Sequence, residues 1–593
     1  MKKHEPGRMT EDRMGDILRK AGVAVVTGAL TMALCPLTAL AETSTTTSNT
    51  APTSTTQAAP GDGGTPGEPP SGGMGGGGMG GGGGADTQTF DYSGTFSGAL
   101  TTDGTSATSN SESYDASTAD ENAVLVENGG TLTMTDGTLT KSGDDSNGDN
   151  CNFYGLNSIL LSVGEGSQAT VSGTSLSATS EGSNGIFATD SGTVYANDDT
   201  ITTTADNSRG LDATYDGTIV ANGMTISTQG NHCAGIATDR GGGNISVTDS
   251  TLSTAGSGSP LLYSTGDIEV SGVTGTASGS QIAGMEGLNT ILINDSTLES
   301  TNDAISGSDP IENGVIIYQS TSGDAESTTG EAATFQASGS TLKSAITSGA
   351  MFYFTNTSAN VVLSDTTLDY DSTDANLIYA AGNDSNSWGT AGSNGATVSF
   401  TGIGEDMSGD VVADTISSVD LYLTAGTTWT GAASIEENAN GSTSEAPLSV
   451  NVDGTSSWVV DGDSTVTDLT VADGGKVVDA SGNTVTIVAN GSTVVEGTSS
   501  YTVTVTGSYS TSYDASGAGT LSTDLVDRSA FDEAFGTDTS FEMGQASDTT
   551  ASTSTTDTTT SESSSAAATS TTETTSSENP FQAFLDWFFG LFS

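Results

Sequence analysis

Between residues 186 and 260 the chain repeats itself in three consecutive units, and this period constrains the fold more than any other feature. Ile186, Leu211, Ile236 and Leu261 open successive units, 25 residues apart, each after a turn signal: Asn184-Gly185, Arg209-Gly210, Ala234-Gly235 and Ser259-Pro260. A second apolar pair recurs inside each unit: Val194 and Ile201, Ile219 and Ile226, Ile245 and Leu252. Within Thr193-Val194-Tyr195-Ala196 and Thr218-Ile219-Val220-Ala221 apolar and polar residues alternate. That is a strand period, not a helical one. Gly, Asn, Asp and Ser interrupt the pattern too often for helices. Each unit therefore predicts three short strands joined by corners. One such rung cannot bury its apolar side alone, whereas rungs stacked at about 4.8 Å share one interior. The expected fold is all-β, a right-handed parallel β-helix, with Ile186, Leu211, Ile236 and Leu261 in one inward stack.

A submotif extends the coil in both directions. A small hydroxyl residue, Leu or Ile, and a further polar residue recur at Thr138-Leu139-Thr140, Ser175-Leu176-Ser177, Thr200-Ile201-Thr202, Thr225-Ile226-Ser227, Thr251-Leu252-Ser253 and Thr297-Leu298-Glu299. The Leu or Ile should point inward and its neighbours outward. Insertions near 143–155, 303–314, 319–333 and 381–395 map to loops, and a face that gathers such loops is a candidate binding surface.

Charge narrows the partners. Lys and Arg number 12 against 73 Asp and Glu, and half of the cations (Lys2, Lys3, Arg8, Arg13, Arg19, Lys20) precede residue 21. So acidic a surface repels nucleic acid and anionic membrane. It suits neutral partners such as glycans, or cations.

The flanks read as targeting and low-complexity segments. Residues 1–41 form a signal peptide, with Arg19-Lys20 before an apolar run and Ala39-Leu40-Ala41 as its cleavage site; an uncleaved anchor is the alternative. Residues 42–88 are a disordered Thr/Ser/Pro/Gly-rich linker, and 89–121 supply N-terminal strands or a cap. The parallel β-helix is assigned to 122–413, a C-terminal stem to 414–510, and a short connecting segment to 511–544. Residues 545–578, almost wholly Ser, Thr, Ala, Glu and Asp, read as a disordered stalk. Residues 579–593 read as an apolar helix of about 18 Å, too short to span a bilayer. Phe581, Phe584, Trp587, Phe588 and Leu591 in it suit a membrane interface or an envelope partner.

Around Leu421-Tyr422-Leu423-Thr424-Ala425-Gly426-Thr427-Thr428-Trp429-Thr430-Gly431 and Ser457-Trp458-Val459-Val460-Asp461-Gly462-Asp463-Ser464, the chain resembles the passenger stem of pertactin-like autotransporter adhesins. The resemblance covers about residues 120 to 510. It departs from that family in that fewer than 90 residues follow, without the alternating strands of a membrane β-barrel, so autotransport is not implied. The resemblance implies a secreted or surface-attached, adhesin-like solenoid that is not an enzyme and meets glycans or a host or cell-envelope surface.

The alternative is a polysaccharide-degrading β-helix enzyme, a lyase or a glycoside hydrolase. A lyase needs a base beside a uronate, commonly with Ca²⁺; Arg209 and Arg240 lie on nearby rungs with Asp212 close by. Hydrolysis needs two carboxylates about 5 to 9.5 Å apart, which Asp199 and Asp212 could supply. Asp144, Asp145 and Asp149 make a Ca²⁺ loop by composition, but the Gly148 spacing and the lack of a twelfth-position Glu depart from an EF-hand. No cofactor is otherwise expected. His232 beside Cys233 suggests a metal or nucleophile pair, yet strand neighbours point to opposite faces. Cys151 and Cys233 lie about 14 Å apart by strand spacing, beyond the roughly 7 Å reach of a disulfide, and are expected to be free thiols.

Overall fold

In the computed structural model, which describes residues 89–320, 325, 332–385 and 388–544, the chain forms a parallel β-helix. Each rung gives one strand to each of three sheets. Sheet I runs through 13 strands from Gly98–Asp103 to Ala433–Glu436. Sheet II has 15, from Ser106–Asn110 to Tyr509–Ser510, and sheet III has 10, from Ser113–Ala116 to Thr367–Asp369. The apolar residue of each alternation points inward, and Val194, Ile219, Ile201 and Ile226 join one continuous core. The signal peptide, linker, stalk and terminal helix expected from sequence lie outside the described residues.

The 25-residue period sets the register. Ile186 pairs with Leu211, Val194 with Ile219 and Ile201 with Ile226. Leu211 then pairs with Ile236, but the stack continues through Leu262, not Leu261. The turn at Asp239-Arg240-Gly241-Gly242 is one residue longer than Thr214-Tyr215-Asp216, so every later pairing in that rung moves by one, as in Ile219 with Ile245 and Ile226 with Leu252. Leu261 is also buried, but at the place of Gly210 and Gly235 in the preceding rungs. The coil also starts one rung earlier than 122. Gly98–Asp103, Ser106–Asn110 and Ser113–Ala116 already pair with the second rung. Their inward positions are largely small or hydroxyl-bearing (Thr102, Ala107, Ser109, Ala116), which hid them from a hydrophobic-period reading.

The corner between sheets II and III explains one regularity. Asp136, Gly173, Asp198, Gly223, Asp249 and Gly272 occupy the same left-handed corner position on successive rungs. A Cβ at Gly223 would stand 2.3 Å from the Asp198 carboxylate, and one at Gly272 2.5 Å from that of Asp249. Each Asp therefore fills space that only a glycine on the next rung leaves open. The corner between sheets III and I is held by a different ladder: Ser183 N–H donates to Ser208 Oγ, Ser208 N–H to Cys233 Sγ and Cys233 N–H to Ser259 Oγ, at 2.9, 3.0 and 2.9 Å. Cys233 is thus a buried sulfur in a column of serines, and both Cys151 and Cys233 are free and buried.

Past residue 400 a four-stranded sheet (Asp406–Ser408, Thr428–Thr430, Ser457–Val459 and Lys476–Val478) replaces sheet III. Its two middle strands put Trp429 directly under Trp458, with ring centroids 4.8 Å apart and both rings fully buried. Residues 511–544, expected to be a simple connector, instead run back along the outer face of sheet II. Ser522 N–H donates to Gln336 Oε1 and Val526 N–H to Glu269 Oε1, at 2.7 and 2.8 Å. The buried Arg528 guanidinium donates to Ser246 O, Ala221 O and Thr248 Oγ1. A short helix, Ser529–Phe535, then buries Phe531 against Tyr195. Among the described residues no helix is long and apolar enough to cross a membrane.

Candidate functional site

The outer face of sheet I carries a concavity that gathers chemistry. Its floor follows from register. Asp212, Ala237, Tyr263, Gly284 and Ile316 are successive partners on the outward side, and of these Tyr263 and Gly284 line the cleft. Glu286 shares the outward side with Gly284, two residues on, and pairs across the ladder with Tyr318. The walls come from the insertions: Asn152 and Phe153 from the first, Ser306 to Asp309 from the second, Ser320 from the third and Trp388 from the fourth. The cleft encloses about 410 Å³.

One wall is built around Arg209. Helix α1, Gly148–Tyr154, is capped by Asn147, whose Oδ1 accepts the Asp149 and Asn150 N–H groups, and ends at Gly155 in the left-handed region. It is docked by its own polar groups. Asn184 Nδ2 donates to Cys151 O at 3.2 Å, Thr214 Oγ1 to Phe153 O at 2.8 Å, and Arg209 Nη1 to Asn152 Oδ1 at 2.8 Å. The same guanidinium reaches Asp239 at 2.9 Å and Asp212 at 3.5 Å. Burial strips water from all three groups. It drives the Asp212 carboxyl well above the usual range despite the adjacent guanidinium, and the two carboxylates hold Arg209 charged. Arg240 covers the Phe153 ring at 3.6 Å.

The opposite wall is aromatic. Tyr318 stacks on Trp388 with centroids 4.1 Å apart, and Ile316, Tyr353 and Tyr379 back the pair. Tyr263 Oη donates to Glu286 Oε2 at 3.1 Å, and the Ser320 hydroxyl donates to the other oxygen. Burial raises both the Tyr263 and the Tyr318 hydroxyls, so both stay protonated donors. Asp309 accepts from Asn313 Nδ2 at 2.9 Å, and desolvation pushes its carboxyl up to about 7. The combination of ring faces, carboxylates and hydroxyls matches what a polyol requires: apolar C–H faces to stack and hydroxyls to satisfy.

The residues singled out from sequence divide. Arg209 and Asp212 meet in an ion pair at the cleft, and Arg240 sits beside it on Phe153. Asp199 lies elsewhere, at the corner of sheets II and III. There its Oδ1 accepts the Thr174 N–H at 2.6 Å, the role Ser250 plays toward Met224. Asp144 accepts from Glu181 N–H, Asp145 lies 3.5 Å from Cys151 Sγ, and Asp149 sits in the first turn of α1. Among the described residues no group of three or more His, Cys, Asp and Glu is placed to hold a metal ion. His232 lines the cleft while Cys233 faces the interior, so the two do not cooperate. Burial and the nearby Arg209 lower the His232 imidazole below its ordinary value, leaving it neutral. Asp239, one of the carboxylates that flank Arg209 and Arg240 in sequence, does join this site; sequence reasoning missed Glu286, Asp309, Tyr263, Tyr318 and Trp388. The only sequence signal for them was the placing of the four insertions.

The buried Asp199 yields a pH test. Desolvation raises its carboxyl to about 7, against the Thr174 N–H that pulls it down. The folded state therefore holds a proton that the unfolded chain releases near pH 4, and stability falls as pH rises from that range through about 7. Asp199→Asn keeps an oxygen for the Thr174 N–H. It is expected to match the parent at pH 4.5 and to be about 2 kcal/mol more stable at pH 8, measured by urea denaturation at both pH values. Equal stabilities at pH 8 would refute the assignment.

No protein-family model matches this chain, and comparison with curated proteins finds no match.

Proposed function

We propose that this protein is a secreted or cell-surface, adhesin-like β-helix that binds glycans non-catalytically in the cleft on sheet I. The observation that carries this reading is the convergence of four separate rung insertions on one concavity with a stacked Tyr318–Trp388 wall. A rigid solenoid holds such loops in fixed register, and aromatic faces supply affinity for sugar rings at low entropic cost. The strongly acidic exterior favours solubility and disfavours nucleic acid. The test is a glycan array probed with the purified chain, followed by titration of the best ligand. Tyr318→Ala is expected to weaken binding at least about tenfold, since a lost stacking partner removes on the order of 1 kcal/mol or more, with an unchanged circular dichroism spectrum. An array without specific binding overturns the reading.

A second reading, glycoside cleavage, has one observation in its favour: the Asp309 carboxyl holds its proton up to about 7, as a general acid must. It would appear as new reducing ends on incubation with polysaccharides, abolished by Asp309→Asn.

A further inference from the structure

We infer that residues 515–544 form a proton-dependent latch on the outer face of sheet II, docked in mild acid and released as the medium turns alkaline, while the coil beneath stays folded. The outward column of this face reads Val220, Ser246, Glu269, Leu292, Gln336 and Val362 on successive rungs. All six are buried although they point away from the interior, because the returning chain lies over them. In the same column beyond its reach, Thr133 is exposed and Thr170 half-buried. The sheet holds the strap largely by its backbone. Thr401 Oγ1 accepts the Gly519 N–H at 2.8 Å. Gln336 donates to Thr520 O at 3.1 Å and accepts from Ser522 N–H at 2.7 Å, and Glu269 accepts from Val526 N–H at 2.8 Å. The fit is close: a Cβ at Gly519 would stand 2.5 Å from Val362 Cγ2.

What makes this contact a latch is a carboxyl group buried under it without a bound counter-charge. Arg528 is the buried cation of the strap, yet it spends its five N–H groups on neutral oxygens: Thr539 Oγ1, Ser246 O and Oγ, Ala221 O and Thr248 Oγ1. The remaining charged groups that face Glu269 and Arg528 are acidic, Asp249 and Asp267 on the coil and Asp524 and Asp532 on the strap. Docking therefore strips water from Glu269 and gives back one N–H bond and a cation that is not in contact. Burial drives the Glu269 carboxyl from its ordinary 4.5 up to about 8, and Asp267 up to about 6. Arg528 stays charged throughout, since burial brings it down only to about 10. Undocking returns Glu269 to water on an open sheet face. The docked state thus holds a proton that the undocked state releases. Docking is at full strength below about pH 4.5 and is lost as pH rises through about 8.

Trypsin reads the latch directly, because Arg528 is the only Lys or Arg after Lys476 and is buried while the strap is docked. The purified full chain is cut at about pH 6 and about pH 8.5, and each rate is divided by that of the free peptide 520–536 at the same pH, which removes the protease's own pH dependence. When cutting tracks the open population, the normalised rate after Arg528 is expected to rise at least about tenfold between the two. Glu269→Gln keeps an oxygen for the Val526 N–H and should abolish most of that rise. Cutting at Lys343 and Lys476, which lie in strands of the coil, should not rise in step. Hydrogen exchange over 519–526, corrected for intrinsic rate, should lose protection over the same range. A normalised rate that is the same at both pH values overturns the inference, as does a full rise in Glu269→Gln. A parallel rise at Lys343 and Lys476 overturns it too, since the coil itself would then be opening.

Discussion

Arg209→Met is expected to lower the stability of the fold by about 3 to 5 kcal/mol, the usual consequence of removing one partner from a buried charge cluster. The guanidinium is the shared counter-charge of Asp212 and Asp239 and the anchor of helix α1 through Asn152. Without it, the fully buried Asp212 loses its adjacent counter-charge. The loss should depend on pH in a definite direction. The guanidinium pulls the Asp212 carboxyl down against desolvation, so the variant raises it further. A folded carboxyl raised above its unfolded value is tolerated while protonated and weakens the fold as pH rises through it. The added destabilisation should appear as pH rises through the raised Asp212 titration and be absent well below it. Urea denaturation followed by circular dichroism reads both ranges. A deficit that does not change with pH would mean that Arg209 acts through packing alone.

Trp458→Ala should be of similar size, again about 3 to 5 kcal/mol, for a different reason. The ring is fully buried inside the C-terminal rungs, stacked on Trp429, and its Nε1 donates to Gly431 O at 2.9 Å. Truncation opens a cavity between Trp429 and Val477, the partners on either side, and it leaves the Gly431 carbonyl without the Trp458 donor. Trp458→Phe keeps most of the stack and loses the hydrogen bond, so about 1 to 2 kcal/mol is expected. The strands that follow, including Thr486–Ala489 and Thr502–Val505, should lose protection first in hydrogen exchange, since a solenoid's stability is a sum of neighbouring contacts. Uniform loss along the whole coil would contradict that local picture.

Particular residues show how far sequence carried the fold. Ile186, Leu211 and Ile236 occupy the inward column expected from the 25-residue period. Leu261 does not continue that column, because one additional residue in the Asp239–Gly242 turn hands the position to Leu262. Turn length is local, but whether an extra residue is absorbed as a bulge or passed on as a register shift depends on the pairing rung. The first rung, expected as lead-in strands or a cap, was not counted as part of the coil for the opposite reason: Thr102 and Ser109 face inward at an end where no large apolar residue is needed.

The candidate site was less legible. Asp199 and Asp212 look alike in sequence, thirteen residues apart among many carboxylates. One closes a corner ladder through the Thr174 N–H and the other faces Arg209. Which role an acidic residue takes depends on the corner or face it reaches, and the alternation alone does not label faces by function.

By itself the sequence determined the coil: the strand period, the glycine and aspartate corners and the inward columns all follow from neighbours within one rung or the next, where backbone geometry leaves few choices. The tertiary structure alone decided the cleft. Phe153, Asp239, Glu286, Asp309 and Trp388 come from rungs spread over more than 200 residues of chain. They meet because stacking at a fixed spacing turns separate insertions into walls of one concavity. Nothing in any one of those segments encodes its distance to the others; that distance exists only once the rungs are stacked.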